Sequence, residues 1–187
     1  PRGVCPEDND ELVIITHPVP DVTITPIPNG IEVHTGPAAV IYDENATASG
    51  AFTLSGTFTL LEPSGNTNYY GLVYGGSDLD TPQQNYVYFL IGQNGTYIIK
   101  HRANDDTVHD IVGRTAHDAI ETPGDDGTSV NELAVRVGAD QIDYLVNGEV
   151  VHSTENSGMA GRTDGIYGVR INHVIPGVRV ENLRVSS

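Results

Sequence analysis

Phe52, Leu54, Phe58 and Leu60 fall on one parity of the chain, with Gly56 among them. Thr53, Ser55, Thr57 and Thr59 fall on the other. A two-residue period belongs to an extended strand with one buried and one wet face, here lined with threonine. Asn85–Gly92 is instead apolar on both parities (Tyr86, Val87, Tyr88, Phe89, Leu90, Ile91), the pattern of a strand in the middle of a sheet. Asn94-Gly95 then supplies a turn, and Thr96–Arg102 returns as its hairpin partner. Gln141–Val146, Asn147-Gly148 and Glu149–His152 repeat the arrangement. Further strands are predicted at Leu12–Thr16, Val22–Thr25, Ala38–Tyr42, Tyr69–Tyr74, Thr107–Val112, Glu132–Val137, Gly165–Asn172 and Val178–Val185. No segment sustains a helical period, and Thr115–Ile120 has room for one turn of helix only.

Strands at this spacing, punctuated by Gly, Asn, Asp and Pro, predict an all-β antiparallel sandwich or barrel. The first thirty residues differ. Pro18, Pro20, Pro26 and Pro28 interrupt two short β-branched runs, which confines those runs to a sheet edge or an extended arm. The chain therefore divides into a Pro-rich arm or edge strand, residues 1–30, and a sandwich domain, residues 31–187. The arm either closes its own sandwich or adds a strand to another molecule.

Nine Lys and Arg against 25 Asp and Glu give a formal charge of −16. That field repels a phosphate backbone and an anionic membrane, so neither nucleic acid nor such a membrane is an expected partner. No uninterrupted apolar stretch reaches the roughly 20 residues of a membrane-spanning helix. The acidic, lysine-poor composition and the absence of an initial Met suit a processed, extracytoplasmic protein, secreted or periplasmic. The single Cys5 excludes an internal disulfide.

Candidate chemistry is sparse. Seven histidines include no H-x-H or H-E-x-x-H spacing, no G-x-S-x-G elbow occurs, and Gly75-Gly76 lacks the lysine of a phosphate loop. The paired strand carboxylates of a glycosidase are also missing, since the acids fall in expected loops: Asp43-Glu44, Asp78 and Asp80, Asp105-Asp106, Asp125-Asp126. Loop carboxylates are the ligands calcium uses, and Asp78 and Asp80, after Gly75-Gly76, are the candidate calcium ligands. Two Asn-x-Thr sequons, at Asn45 and Asn94, matter only if the source glycosylates.

Parity supplies a candidate binding face. With Val87, Phe89 and Ile91 turned to the core, Tyr86 and Tyr88 face outward. The same rule places Lys100, Arg102, Arg170 and Asn172 outward on neighbouring strands, and Tyr70 and Tyr74 share a parity on another. These eight residues are the expected ligand-binding set, with tyrosines to stack on sugar rings and cations to bind hydroxyls; the alternative is a tyrosine-rich second layer covered by loops.

The ordered series Tyr69-Tyr70-Gly71-Leu72-Val73-Tyr74-Gly75-Gly76, Tyr86-x-Tyr88-Phe89-Leu90-Ile91, Gly95-x-Tyr97-x-Ile99-Lys100-x-Arg102, Asn131-Glu132-Leu133-x-Val135, Val146-Asn147-Gly148-x-x-Val151 and Gly168-x-Arg170-x-Asn172-His173 resembles the concanavalin A-like lectin/glucanase superfamily. It is most similar to bacterial extracytoplasmic domains of the keto-disaccharide hydrolase-like or laminin G-like type, over roughly Ile31 to Val185. Many members carry a tryptophan before the Thr-Ala-His segment, where Arg114 stands here. The resemblance implies a jelly roll of two curved antiparallel sheets. It also implies a choice of roles: a non-catalytic module binding carbohydrate or protein, a calcium-assisted glycoside-cleaving hydrolase using Asp78 or Asp105, or an accessory subunit assembled through the N-terminal arm.

Overall fold

The computed structural model of the chain describes residues 14–15, 22–35, 38–62, 68–172 and 177–187, with backbone alone at 14–15 and 35. Cys5, His17, His173 and most of the expected strand Leu12–Thr16 lie outside the described residues. Fourteen strands follow in chain order: β1 Ile14–Ile15, β2 Val22–Ile27, β3 Gly30–Thr35, β4 Ala39–Ala48, β5 Phe52–Glu62, β6 Tyr69–Ser77, β7 Asn85–Gly92, β8 Thr96–Asn104, β9 Thr107–Ala116, β10 Ser129–Val137, β11 Gln141–Val146, β12 Glu149–Glu155, β13 Gly165–Ile171 and β14 Gly177–Ser186. No helix occurs among the described residues. Thr115 and Ala116 end β9, and a tight turn closed by the Ile120 N–H on the His117 carbonyl follows, in place of the expected helical turn.

The strands form two antiparallel sheets of seven. Sheet A runs β1-β4-β13-β6-β7-β8-β9, and sheet B runs β12-β11-β10-β5-β14-β3-β2. This is an all-β jelly-roll sandwich. Two strands near the C-terminus take inner places: β13 lies between β4 and β6, and β14 between β5 and β3. β2 is an edge strand, joined to β3 through a turn in which Asn29 takes a left-handed φ of 68°. The division expected between residues 30 and 31 thus falls within a hairpin. Ile14 and Ile15 likewise pair with Tyr42 and Ile41 of the chain's own β4.

The inner faces of both sheets make one core, from Leu54, Phe58 and Leu60 on β5 to Phe89 and Ile91 on β7 and Val135 on β10. β5 alternates buried and half-buried along its length, as its threonines require. β7 is buried on both faces because it lies between β6 and β8 in the sheet and carries a second apolar layer on its outer side.

Candidate functional site

That second layer occupies the outer face of sheet A. Val40, Tyr42, Tyr69, Val73, Tyr86, Tyr88, Leu90 and Ile98 form it, and Leu79 from the turn after β6 packs onto it. Register explains the membership. Cross-strand partners share a face, and one row of partners runs Gly168–Val73–Tyr88–Lys100–Asp110 across β13, β6, β7, β8 and β9. Tyr86 is opposite Arg102 in the next row.

Arg170 is the centre of this face. Its partner on β6 is Gly71, which has no side chain, so the arginine has room to reach toward β7. The guanidinium carbon lies 4.9 Å from the centre of the Tyr88 ring. Its Nη1 donates to the Tyr86 hydroxyl at 2.6 Å, and its Nε donates to Asn172 Oδ1 at 2.6 Å. A guanidinium carries five N–H donors, and these two contacts use two of them. Lys100 Nζ pairs with Asp110 at 3.3 Å, while Arg102 Nη1 donates to the Asn104 and Asp105 carbonyls at 3.2 and 3.0 Å. Burial pushes the Tyr88 hydroxyl up from its ordinary pKa, and the charges of Arg170 and Arg102 act in the opposite direction.

The structure thus brings Tyr86, Tyr88, Lys100, Arg102, Arg170 and Asn172 onto one face. Tyr70 and Tyr74 require correction. They pair with Ile91 and Val87, both inward, and are therefore turned into the core, 1% and 0% exposed. Tyr74 meets Tyr144 there, hydroxyl to hydroxyl at 2.8 Å. The open stacking platform is corrected as well: the Tyr86 and Tyr88 rings are 0% and 3% exposed, so they floor the face rather than offer flat surfaces to a sugar. Its accessible chemistry is the half-buried polar set Arg170, Lys100, Arg102 and Asn172. Tyr69 and Val73 join the floor although sequence parity singled out neither.

Asp78 and Asp80 are exposed on either side of buried Leu79. The Thr81 N–H and Oγ1 both donate to the Asp78 carbonyl, at 3.1 and 3.0 Å, so the turn is closed by its own hydrogen bonds. Among the described residues no three His, Cys, Asp or Glu side chains converge as metal ligands.

No protein-family profile matches the chain, and no curated protein matches it in sequence. In structure it is similar to a carbohydrate-binding module, CBM66, from Bacillus subtilis, with a TM-score of 0.65 and 15% identity over 89% of this chain and 92% of that one. A Bacillus subtilis protein of unknown function with a galectin-like fold superposes with a TM-score of 0.62 and 11% identity, over 88% of each chain. Alginate lyase A1-II' gives a TM-score of 0.53 and 15% identity, over 87% of this chain and 81% of that one. At these identities the likeness is one of fold, and the fold that this chain shares with them is the two-sheet jelly roll.

Proposed function

We propose that the chain is a non-catalytic carbohydrate-binding module whose ligand lies on the outer face of sheet A. The observation that carries this reading is Arg170: a guanidinium held over Tyr88 by Tyr86 and Asn172, half-buried, whose other three N–H donors have no acceptor among the described residues. An arginine fixed on both sides loses little freedom on binding, which favours recognition of sugar hydroxyls by a planar fork of donors. Lys100, Arg102 and Asn172 extend the donor set along the same face. Two carboxylates beside it are engaged within the chain, Asp110 by Lys100 and Asp105 by the Gln84 amide at 2.6 Å. The jelly-roll likeness to a carbohydrate-binding module supports the reading at the level of fold. An extracytoplasmic setting, where polysaccharide is met, belongs to the same proposal.

A glycan array followed by calorimetry tests it. Binding should be found in the wild type, fall at least about tenfold in Arg170→Gln, and not return in Arg170→Lys, whose single ammonium cannot bridge Tyr86 and Asn172. An array without signal refutes the module. Release of reducing ends from a bound polysaccharide, abolished by Asp105→Asn or Asp78→Asn, replaces it with the hydrolase.

A further inference from the structure

Three strands depart from regular pairing around one end of the sandwich. On β4 the residues Asp43–Ala46 lie between the pairs Tyr42–Gly168 and Thr47–Ile166, so four residues face the single Tyr167 of β13. On its other side the same Tyr167 faces two residues of β6, Tyr74 and Gly75. On the opposite sheet, Asn182 and Leu183 of β14 bulge against the single Gly56 of β5, with Asn182 at a left-handed φ of 56°. Bulges bend strands and re-aim side chains, and they concentrate beside functional sites.

Here they open a cleft between the sheets of about 220 Å³. Ile31, Val180 and Leu183 line it from sheet B, and Ile41 and Val169 from sheet A. The polar residues lining it are Asn29, Tyr42, Asp43 and Tyr167, of which Asp43 alone carries a charge. Asp43 Oδ1 accepts the Asn45 N–H at 2.8 Å within its own bulge, and among the described residues no Lys or Arg pairs with it. Burial and the Asp43 charge together push the Tyr167 hydroxyl up, so the ring and the carboxylate share one environment.

We propose that this cleft is a second ligand site, built for a small organic ammonium ion with an apolar body. The five aliphatic walls take the body. The carboxylate of Asp43 and the face of Tyr167 take the charge, a pairing that recognises alkylammonium groups elsewhere in protein chemistry. The overall charge of −16 enriches cations near the surface and disfavours anionic ligands of the same shape. The site does not use Arg170, although Tyr42 and Gly168 belong to both the cleft lining and the outer face of sheet A.

Titration with benzyltrimethylammonium, followed by amide NMR at low ionic strength, tests the proposal, with benzyl alcohol and 3-phenylpropanoate as neutral and anionic probes. Saturable shifts confined to β3, β4, β13 and β14 are expected for the cation. Affinity should fall about fivefold or more in Asp43→Asn, as a carboxylate contact requires, vanish in Leu183→Trp, which fills the cleft, and stay unchanged in Arg170→Gln. Ala46→Phe at the rim replaces Leu183→Trp should that variant unfold. Absence of saturable binding overturns the site. So does equal binding of benzyl alcohol, or an unaltered affinity in Asp43→Asn.

Discussion

The hydroxyls of Tyr74 and Tyr144 meet 2.8 Å apart in the interior, one from each sheet. The Tyr74 hydroxyl also donates to the Ala160 carbonyl at 3.0 Å. A hydroxyl has a single proton, so between the two rings Tyr144 donates and Tyr74 accepts. The pair therefore ties sheet A, sheet B and the segment after β12 into one chain of hydrogen bonds. Burial and its partner's hydroxyl hold Tyr74 well above an ordinary phenol. The two members are not equivalent. Tyr74→Phe strands both a buried carbonyl and the Tyr144 donor, and should cost about 2–3 kcal/mol; Tyr144→Phe removes one donor and should cost about 1 kcal/mol. Urea unfolding of the two variants measures the difference, and equal losses would refute the assigned direction.

Gly75 and Gly50 have nearly the same backbone, φ 65° and 70°, in different surroundings. A methyl group on Gly75 would fall 1.8 Å from the Arg162 carbonyl oxygen, whereas one on Gly50 meets nothing within 4 Å. Gly50→Ala should cost only the left-handed backbone penalty, about 1–2 kcal/mol. Gly75→Ala should cost about 3 kcal/mol or more, because the segment carrying Arg162 must lift off β6. Thermal melts of both variants provide the comparison.

Asp143 gathers three donors on the outer face of sheet B: Gln141 at 2.7 Å, Ser153 at 2.7 Å, and Arg136, its cross-strand partner, at 2.9 Å. They hold its carboxyl down to about 2. A depressed carboxylate contributes stability above its unfolded pKa, and that contribution is lost as pH falls from about 4 through about 2. Asp143→Asn should therefore be less stable than wild type at pH 7, with the gap closing toward pH 2. A constant gap across that range would refute it.

His101 acts in the same direction in a higher pH range. Asn85 Oδ1 accepts from His101 Nε2 at 2.9 Å and from Arg162 Nε at 3.2 Å, so the imidazole proton is on Nε2. Its Nδ1 is buried with no hydrogen-bond partner among the described residues, and His109 stacks on the ring at 5.9 Å. Burial first, then Arg162 and His109, push its pKa below 6.5. Below pH 6.5 the unfolded chain binds a proton that the folded one refuses, so this residue subtracts stability as pH falls through that value. His101→Gln should flatten the stability profile between pH 7.5 and 5.5, as measured by urea midpoints.

Strand alternation and Asn-Gly turns made most of the sandwich legible. β3 escaped, although Asn29-Gly30 spells a turn and Ile31 and Val33 alternate with Glu32 and His34. Pro26 sits in edge strand β2, one of the two places its sequence allows, and the run after Pro28 continues as β3. The side on which Tyr70 and Tyr74 fall was illegible for a physical reason: eight consecutive residues of β6 are buried, so no polar face marks the outside. Only the pairing with Ile91 and Val87 orients them. The role of Arg170 over Tyr88 depends on a neighbour 82 positions earlier in the chain. The cleft is made by bulges, which no periodicity announces, and the acids at 43 and 44, expected in a loop, lie in one of them.

The interior places of β13 and β14 dictate an order of assembly. While the chain is being synthesised, β6 through β9 can form a meander from neighbours close in sequence. β4 and β6 cannot be joined until residues 165–171 leave the ribosome, nor β5 and β3 until residues 177–186 do. Long-range closure of this kind is slow. Until it happens, four strand edges with apolar faces stay open to neighbouring chains, the condition under which nascent β-sandwiches depend on chaperones.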